Sequence, residues 1–398
     1  MSKRTLSQLG VAGKTVLVRV DFNVPIEQGV EAIANYDQRL RATLPTIQYL
    51  VERQCRIVLC SHLGRPRGKV DDGLRLKPVG DRLAVLLGRP VASLRDCVGE
   101  AVTERVAGMS AGDICLLENL RFYEGEESDD DTFAAELAAL ADCFVMDAFA
   151  VAHRAHASTV GIPRHLPTAM GLLTQREVES LGLALAEPDR PLAALMGGAK
   201  VSDKILVLEN LLSRLDHLFI GGGMAVTFLA AAGKPVGASV VEEDRLDFAR
   251  DVLRRAGDGG ITVHLPADVV AADEFSPLPA SVNTVSTDSV PDGWYIMDIG
   301  ADTADRYAGA LAGCKTILWN GPMGVFEMEQ FSTGTRTVAG GIADLPGVTT
   351  VVGGGSTAEA VEALGLMDKM THVSTGGGAS LEFLEGRTLP GIAAIPDA

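Results

Sequence analysis

Residues 15–23 read Thr-Val-Leu-Val-Arg-Val-Asp-Phe-Asn, and this pattern sets the architecture that the sequence predicts. A short run of β-branched and aliphatic residues ends abruptly in polar side chains, as a buried strand of a parallel sheet does. The first half repeats the pattern at residues 56–60, 114–117 and 143–146. The second half repeats it at residues 192–196, 218–220, 261–265, 316–319, 348–352 and 371–373.

Helical patterns lie between these strands, for example at residues 132–141 and 204–215. Strands that alternate with helices predict parallel sheets covered on both faces. A chain of 398 residues exceeds the usual size of a single core. The sequence therefore predicts an α/β protein with two doubly wound parallel-sheet (Rossmann-like) domains.

The predicted boundary between the domains is an interdomain helix with a hinge, residues 173–187. An amphipathic pattern at residues 175–186 precedes the breaker Glu-Pro-Asp-Arg-Pro, which ends a helix. The second domain is then residues 188–385, and the first is residues 1–172. The tail 386–398 must dock somewhere, but its pattern does not say where.

Composition narrows the class of function. The net charge of −17 argues against nucleic-acid and acidic-membrane partners, because either would require a basic face. The six cysteines form no C-x-x-C motif and no zinc spacing, so we expect small buried thiols in a reducing compartment. With no signal-peptide pattern and no 18-residue apolar span, a cytoplasmic protein is expected.

Cations follow the strands of the first half, where ligands of open α/β sheets bind. The ends of the four strands are Arg-Val-Asp-Phe-Asn at 19–23, Ser-His-Leu-Gly-Arg at 61–65, Glu-Asn-Leu-Arg at 118–121 and His-Arg-Ala-His at 153–156. Arginine is suited to a bidentate grip on carboxylate and phosphate groups. The repeated placement predicts an anion pocket within an acidic protein.

Glycines follow the strands of the second half. The loops are Gly-Gly-Ala-Lys at 197–200, Gly-Gly-Gly-Met at 221–224, Asn-Gly-Pro-Met-Gly at 320–324, Gly-Gly-Gly-Ser-Thr at 353–357 and Gly-Gly-Gly-Ala at 376–379. Glycine between a strand and a helix lets backbone N–H groups approach a phosphate. Five such loops predict a polyphosphate or nucleotide pocket.

Three competing patterns carry less weight. Gly-Lys-Thr at 13–15 imitates a P-loop but precedes its strand and lacks the required glycine. Gly353, Gly355 and Ala358 fit a dinucleotide pattern, yet the next strand ends without an acidic residue. His62, His153 and His156 have no carboxylates at metal-ligand spacing, so we expect His153 and His156 to be hydrogen-bonded structural residues.

Long motifs in both halves resemble the phosphoglycerate kinase family. In the first half they are VLVRVDFNVP at 16–25, SHLGRP at 61–66, LENLRF at 117–122 and AHRAHAS at 152–158. In the second half they are GGAKVSDK at 197–204, GGGMAVTFL at 221–229, WNGPMGVFE at 319–327 and HVSTGGGASLE at 372–382. They follow the family's order over essentially the whole chain.

The resemblance implies reversible phosphoryl transfer between ATP and 3-phosphoglycerate. It implies that the first domain, with the tail 386–398 returning to it, binds 3-phosphoglycerate through Asp21, Asn23, Arg39, His62, Arg65, Arg121 and Arg154. It assigns Lys200 and Lys204 to the nucleotide phosphates and Asn320 and Glu327 to the nucleoside. With the glycine loops, the candidate nucleotide-binding residues are Gly198, Lys200, Lys204, Gly222, Asn320, Pro322, Glu327, Gly354, Gly355, Ser356 and Thr357.

The candidate catalytic residues surround the transferring phosphoryl group. They are Arg39, Lys200, Gly376 and Gly377. The acceptor carboxylate is already ionised near neutral pH, so the reaction needs no general base, only in-line positioning and charge stabilisation. Hinge closure near residues 170–190 is expected when both substrates bind.

Mg²⁺, as Mg-ATP or Mg-ADP, is the cofactor that the resemblance implies, and a monomer is expected. The family usually has Asp at the position of Ser356, which helps hold the metal. A hydroxyl can ligate Mg²⁺ but brings no charge, so Ser356 is the candidate metal ligand and metal affinity is the open question.

A second departure lies at residues 146–151. The family usually has Asn at Met146 and Gly-Thr at 150–151, where this chain has Ala-Val. Loss of that glycine affects the turn that positions Arg154, and we expect reduced tolerance to change at that turn but not loss of function. Two alternatives remain, a dehydrogenase that uses the Gly353 loop and a non-catalytic nucleotide-binding protein. The sequence does not separate a glycolytic from a photosynthetic role.

Overall fold

A computed structural model describes residues 3–25 and 30–398 of the chain. The chain divides into two compact units. The first contains the residues up to Glu179 and the C-terminal segment Thr388–Ala398, and the second is Ser180–Arg387.

The first unit is built on a six-stranded parallel sheet. Its strands are β1 (Thr15–Val20), β2 (Arg56–Cys60), β3 (Ala92–Ser93), β4 (Ile114–Leu116), β5 (Cys143–Asp147) and β6 (Thr168–Met170). Their order in the sheet is β3-β4-β2-β1-β5-β6. All six residues of β1 are buried, because helices cover a parallel sheet on both faces.

The register of this sheet brings its strand ends to one edge. Arg19 lies opposite Cys60 on β2, and Val20 lies opposite Asp147 on β5. The residues that follow β1, β2, β4 and β5 therefore emerge side by side, at the edge where open α/β sheets bind ligands.

Helices of the first unit are α1 (Gln38–Glu52), α2 (Lys77–Leu87), α3 (Glu100–Ala107), α4 (Glu124–Glu127), α5 (Asp131–Ala138) and α6 (Leu172–Ala186), of which α6 runs into the second unit. Helix α1 buries Leu40, Ile47 and Leu50, which belong to the same core cluster as the strands. Asp130 caps α5 by accepting a hydrogen bond from the Phe133 N–H at 2.8 Å, as N-cap residues do.

The second unit contains a six-stranded parallel sheet and a three-stranded antiparallel sheet. Its strands are β7 (Leu192–Met196), β8 (His217–Ile220), β9 (Thr262–His264), β10 (Asp268–Ala272), β11 (Val282–Ser286), β12 (Tyr295–Ile299), β13 (Thr316–Asn320), β14 (Thr349–Gly353) and β15 (His372–Val373). The parallel order is β15-β14-β13-β7-β8-β9, and the antiparallel order is β11-β10-β12.

Seven helices of the second unit follow. They are α7 (Ile205–Leu212), α8 (Gly222–Ala231), α9 (Leu246–Asp258), α10 (Ala301–Leu311), α11 (Thr333–Ala343), α12 (Gly355–Ala363) and α13 (Gly378–Leu384). The core contains Trp319, Tyr307 and Leu311. Five adjacent strands, β15, β14, β13, β7 and β8, each lead into a glycine loop, so the five loops share one edge of the sheet.

The predicted fold class, two doubly wound parallel-sheet domains, is confirmed. The antiparallel sheet was not predicted, and neither were the short strands β3 and β6. Most of β11 is exposed, so it lacks the apolar run that identified the buried strands. Helix α6 begins at Leu172, three residues before the amphipathic pattern, because the Asp147 carboxylate accepts the N–H groups of Leu173 and Thr174 at 2.9 and 3.2 Å.

The C-terminal segment packs within the first unit through helix α14 (Pro390–Ala393). The Gly391 N–H donates to the Ala152 carbonyl at 2.8 Å, and the Arg4 N–H donates to the Pro396 carbonyl at 2.9 Å. Ile395 is fully buried. The unit boundary at Glu179 lies inside the segment 173–187, whose role as an interdomain helix and hinge stays a prediction.

Candidate active site

The loops that follow β1, β2 and β4 are tied together by side chains. Ser61 Oγ accepts the Phe22 N–H at 2.9 Å, and Asn23 Oδ1 accepts the Gly64 N–H at 2.9 Å. Asn119 Oδ1 accepts the Leu63 N–H at 3.2 Å. These bonds fix the strand ends that the sequence identified as an anion pocket.

Asp21 lies at the centre of this arrangement and is buried. Its carboxylate accepts a hydrogen bond from the Arg39 guanidinium and lies 3.7 Å from Nδ1 of His62. The side chain of Arg39 is 36% exposed, so it is tethered by Asp21 and also open to a ligand. The order of the strands does not predict the contact between Arg39 and Asp21, since Arg39 lies at the start of α1 and follows no strand.

The remaining predicted acceptor residues differ in burial. Arg121 is buried, donates from Nη1 to the Gly64 carbonyl at 2.7 Å and lies 3.3 Å from Glu127. Arg154 is half-buried on the turn after β5. Arg65 is exposed, and within residues 3–25 and 30–398 its guanidinium has no hydrogen bond or ion pair.

The electrostatics of this pocket favour an anion. Burial lowers the pKa of His62 well below its usual value, and the charges of Arg19, Arg121, Arg39 and Arg154 lower it further. Burial also lowers the pKa of Arg121. A pocket that resists further positive charge has an excess of cations, and an anionic ligand would relieve their repulsion.

A cavity of about 600 Å³ opens at the glycine loops of the second unit. Its walls include Gly198, Lys200, Gly222, Pro322, Glu327 and Ser356 from the predicted nucleotide set. Apolar side chains of the antiparallel sheet and its loops complete it, among them Val269, Phe275, Tyr295 and Met297. The volume and the apolar lining suit a nucleotide-sized ligand.

Two glycines of these loops do not offer their N–H groups to a ligand, contrary to the reason for which they were predicted. The N–H of Gly198 donates to the Pro322 carbonyl at 3.0 Å, and that of Gly222 donates to the Met323 carbonyl at 2.8 Å. A Cβ at Gly222 would lie 2.6 Å from the backbone nitrogen of Gly198. Glycine is needed here because three backbone loops pack directly on one another.

Lys204, Asn320 and Thr357 are buried and are not among the residues that line the cavity. The Lys204 ammonium donates to Asn320 Oδ1, and burial lowers the pKa of Lys204 to about 8. Thr357 Oγ1 accepts the Gly321 N–H at 2.7 Å. A nearby phosphate would stabilise the charged form of Lys204 and raise its pKa again, by compensating for its lost hydration.

The last two loops begin helices. Gly354 precedes α12, whose first residues are Gly355 and Ser356, so its first-turn N–H groups have no partner within the helix. Gly377 precedes α13, and the Gly376 N–H donates to Ser374 Oγ at 3.1 Å. Of these residues, only Ser356 lies on the cavity wall.

Ser356 is exposed and offers one neutral hydroxyl to a metal. Within the described ranges, no group of three or more His, Cys, Asp or Glu side chains could hold a metal ion. This donor set fits a Mg²⁺ ion that arrives on the nucleotide phosphates and keeps its waters, as Mg²⁺ commonly does.

Two carboxylates on the cavity wall, Asp298 and Glu242, were not predicted from the sequence. Asp298, at the end of β12, accepts the Gly334 N–H at 2.7 Å, and burial raises its pKa to about 7. Glu242 accepts the N–H groups of Val201 and Ser202 beside Lys200. An acid inside an apolar strand was a usable signal for Asp298, whereas nothing local marks Glu242.

The departures at residues 146–151 are accommodated without strain. Ala150 lies in a 3₁₀ turn and is not among the described non-glycine residues with positive φ. The turn closes normally, since the Arg154 N–H donates to the Val151 carbonyl at 3.0 Å. This backbone needs no glycine at Ala150, and the effect of the departure on the turn before Arg154 stays a prediction. Met146 is buried beside Gly391 of the docked tail.

Other expectations concern the rest of the chain. All six cysteines are buried free thiols, as predicted. His156 is buried, its backbone N–H donates to Thr159 Oγ1 at 3.0 Å, and its ring Nδ1 lies 3.7 Å from Glu126 Oε1, as expected for a structural histidine. Among the described helices, none has the length and apolarity that a membrane crossing requires.

Comparison with known proteins identifies the family. The phosphoglycerate kinase family model matches residues 6–387. The phosphoglycerate kinase of Moorella thermoacetica is 53% identical over 397 residues, covering 100% of both chains. The solved structure of phosphoglycerate kinase from Coxiella burnetii is 41% identical with a TM-score of 0.87, and that from Pyrococcus horikoshii is 33% identical with a TM-score of 0.84, each covering 98% of both chains. This chain therefore belongs to the phosphoglycerate kinase family of phosphotransferases, as its motifs predicted.

Proposed function

We propose that this chain catalyses reversible phosphoryl transfer between ATP and the carboxylate of 3-phosphoglycerate, giving ADP and 1,3-bisphosphoglycerate. The observation that carries the proposal is the pairing of two sites in one family member. One is a buried cationic pocket around Asp21 and His62 in the first unit. The other is a nucleotide-sized cavity at the glycine loops of the second.

The acceptor is held in the first unit. Arg39, Arg121, Arg154 and exposed Arg65 supply positive charge for its phosphate and carboxylate, since arginine binds both groups in a bidentate manner. Asp21, Asn23 and His62 supply hydrogen bonds. Asp21 already orients Arg39, which supports a role for that carboxylate in positioning the arginine rather than in accepting a proton.

The nucleotide is held in the second unit. The apolar wall at Val269, Tyr295 and Met297 suits a base and ribose. Lys200, exposed on the cavity wall, and Lys204, buried against Asn320, suit the phosphates. Gly354, Gly355 and Thr357 at the start of α12 are assigned to the same phosphates through the helix N-terminus.

The transfer itself needs position and charge. The acceptor carboxylate is the nucleophile and is already ionised, with an ordinary pKa of roughly 3.5. Arg39, Lys200 and the backbone at Gly376 and Gly377 are assigned to the charge that develops on the transferring group. In-line displacement forms the new acyl-phosphate bond as the bond to the leaving ADP oxygen breaks.

Mg²⁺ is proposed as the cofactor. Ser356 would offer its hydroxyl to the ion, and the nucleotide phosphates and water would supply the other ligands. When bound, the ion would neutralise charge on the β- and γ-phosphates. We also propose hinge closure near residues 170–190 on binding of both substrates, and a cytoplasmic monomer. The buried, unpaired thiols support a reducing compartment.

The test is ADP formation from ATP with and without 3-phosphoglycerate, over a range of Mg²⁺ and Mn²⁺ concentrations. Strict dependence on 3-phosphoglycerate is expected. Binding of ATP without turnover at any metal concentration would instead indicate a non-catalytic nucleotide-binding protein. X-ray scattering with both ligands should show compaction, and an unchanged radius of gyration would reject hinge closure.

A further inference from the structure

A buried ion pair lies behind the acceptor pocket, formed by Arg19 on β1 and Glu126 on α4. The side chains are 1% and 0% exposed, with Nη2 of Arg19 3.9 Å from Oε1 of Glu126. Ser158 links them: its Oγ accepts from Arg19 Nε at 2.7 Å and donates to Glu126 Oε1 at 2.6 Å. Such burial of two charges usually costs stability relative to apolar residues of similar volume, so packing alone does not account for this pair.

One contact of Arg19 points to that purpose. Its Nη2 lies 3.2 Å from Nδ1 of His62, which the proposed function places in the acceptor pocket. A guanidinium has five N–H donors and no acceptor, so Nδ1 of His62 must accept this hydrogen bond. A neutral imidazole whose Nδ1 accepts carries its single proton on Nε2.

The surroundings of His62 keep the ring neutral. Asp21 Oδ1 lies 3.7 Å from the same Nδ1, but the Asp21 carboxylate is also bonded to Arg39. Burial is the largest influence that lowers the His62 pKa, followed by the charges of Arg19, Arg121, Arg39 and Arg154. A second proton on the ring would therefore add charge to a buried group surrounded by cations.

The Nε2 atom remains for a ligand. It has no hydrogen bond within the described residues, yet it is not one of the fully buried polar atoms that lack a partner. We propose that Arg19, braced by Ser158 and Glu126, is a positioning residue that holds His62 as the neutral Nε2–H tautomer. His62 then gives the acceptor substrate one directed hydrogen bond and no charge.

The inference rests on the proposed function only for the identity of the ligand. Arginines that surround His62 already supply positive charge, and a neutral donor adds direction without further repulsion among them. Glu126 offsets the charge of Arg19, so the buried guanidinium can act as a hydrogen-bond donor in this position.

The direct test uses the unaltered chain without nucleotide. Two-bond ¹H–¹⁵N correlation spectra distinguish the tautomers of each of the seven histidines, and loss of one signal set in His62→Gln assigns His62. We expect a proton on Nε2 and no titration of the ring between pH 5.5 and 8. A proton on Nδ1, or a ring that becomes charged near pH 6.5, would overturn the proposal.

A variant tests the part played by Arg19. Arg19→Met combined with Glu126→Gln removes both buried charges together. Glu126→Gln alone would leave the buried Arg19 guanidinium without its acidic partner, and Arg19→Met alone would leave Glu126 beside the His156 ring, 3.7 Å away. We expect the Nδ1–H tautomer of His62 to appear, and KM for 3-phosphoglycerate to rise about tenfold, the scale of one lost hydrogen bond to a charged group. KM for ATP should not change.

Arg75→Met is the matched control, since Arg75 pairs with Asp72 and Glu118 in the same unit without a contact to His62. An unchanged tautomer and KM in the double variant would refute the role of Arg19. If that variant does not fold, the spectrum of the unaltered chain still shows whether His62 is the neutral Nε2–H tautomer, and the Nδ1–H form would overturn the proposal. Turnover with 3-phosphoglycerate tests the proposed function separately, because the tautomer is measured without it.

Discussion

Gly222 offers a direct test of how the candidate nucleotide cavity is built. Its backbone lies in the left-handed region with φ of +61°, and its N–H bonds to the Met323 carbonyl at 2.8 Å. In Gly222→Ala, the new Cβ would lie 2.6 Å from the backbone nitrogen of Gly198 and 2.8 Å from the Pro322 carbonyl oxygen. Backbone atoms of packed loops cannot rotate away as a flexible side chain can.

Gly233→Ala is the control that separates the two costs of Gly222→Ala, the strain of a left-handed backbone and the clash with neighbouring loops. Gly233, just beyond the end of α8, also has a left-handed φ, +77°, but a Cβ there meets nothing within 4 Å. Both variants lose the conformational advantage of glycine, about 1–2 kcal/mol. Gly222→Ala should also lose two loop hydrogen bonds, from Gly222 to Met323 and from Met224 to Gly198, at about 1 kcal/mol each. We expect it to cost about 2 kcal/mol more than the control.

Urea unfolding followed by tryptophan fluorescence measures the difference in unfolding free energy between the two variants, and it reports on the second unit. Both tryptophans, Trp294 and Trp319, belong to the second unit, and Trp319 is buried in its core. Calorimetric titration should show ADP affinity reduced at least tenfold in Gly222→Ala, about the loss of 1.4 kcal/mol, and unchanged in Gly233→Ala. Equal unfolding free energies for the two variants would refute the argument that loop packing requires this glycine.

Three further predictions concern catalysis, the metal and pH. Arg39→Ala should lower kcat by about 10³-fold, like loss of an arginine finger, and a loss below tenfold in steady-state kinetics would remove Arg39 from the transferring group. Ser356→Asp should lower the Mg²⁺ concentration for half-maximal activity about fivefold, since one added charge is worth about 1 kcal/mol near water; an unchanged Mg²⁺ curve would show that position 356 does not meet the ion. His264 has a pKa lowered to about 4, by burial first and then by His217, so the folded state resists a proton that the unfolded chain accepts. The stabilising contribution of neutral His264 is complete above pH 6.5 and is lost as pH falls toward 4, which lowers the free energy of unfolding by roughly 1–2 kcal/mol at pH 5. Between pH 8 and pH 5, His264→Gln should therefore lose less unfolding free energy than the unaltered chain. An equal loss in both proteins would exclude His264 as the cause.

The sequence predicted every strand of the two parallel sheets except β3 and β6, and it supplied most residues of the candidate acceptor pocket. Buried strands such as β7 are continuous apolar runs, and parallel strands end at one edge, so the residues after them could be placed together from order alone. Asn23, His62 and Arg121 follow from this rule. Arg39 does not, and only the family motif supplied it.

The antiparallel sheet and its share of the cavity depended on tertiary structure. Strand β11 is largely exposed and has no apolar run that a pattern could detect. Asp298 and Tyr295 reach the cavity because β12 pairs with β10 and its Met297 carbonyl accepts the Val325 N–H, directly after the loop 320–324, at 2.9 Å. Contacts between distant segments leave no local periodicity in the chain.

The sequence by itself determined the fold class, the family and the identity of the loops, because each is written in short-range patterns of hydrophobicity and glycine. Only the tertiary structure decided what the loops do. It showed that the N–H groups of Gly198 and Gly222 serve loop packing, that Ala150 needs no glycine conformation, and that Arg19 lies against His62. Hydrogen bonding and burial depend on which atoms meet in space, and residues 43 positions apart in sequence meet only after the sheet has formed.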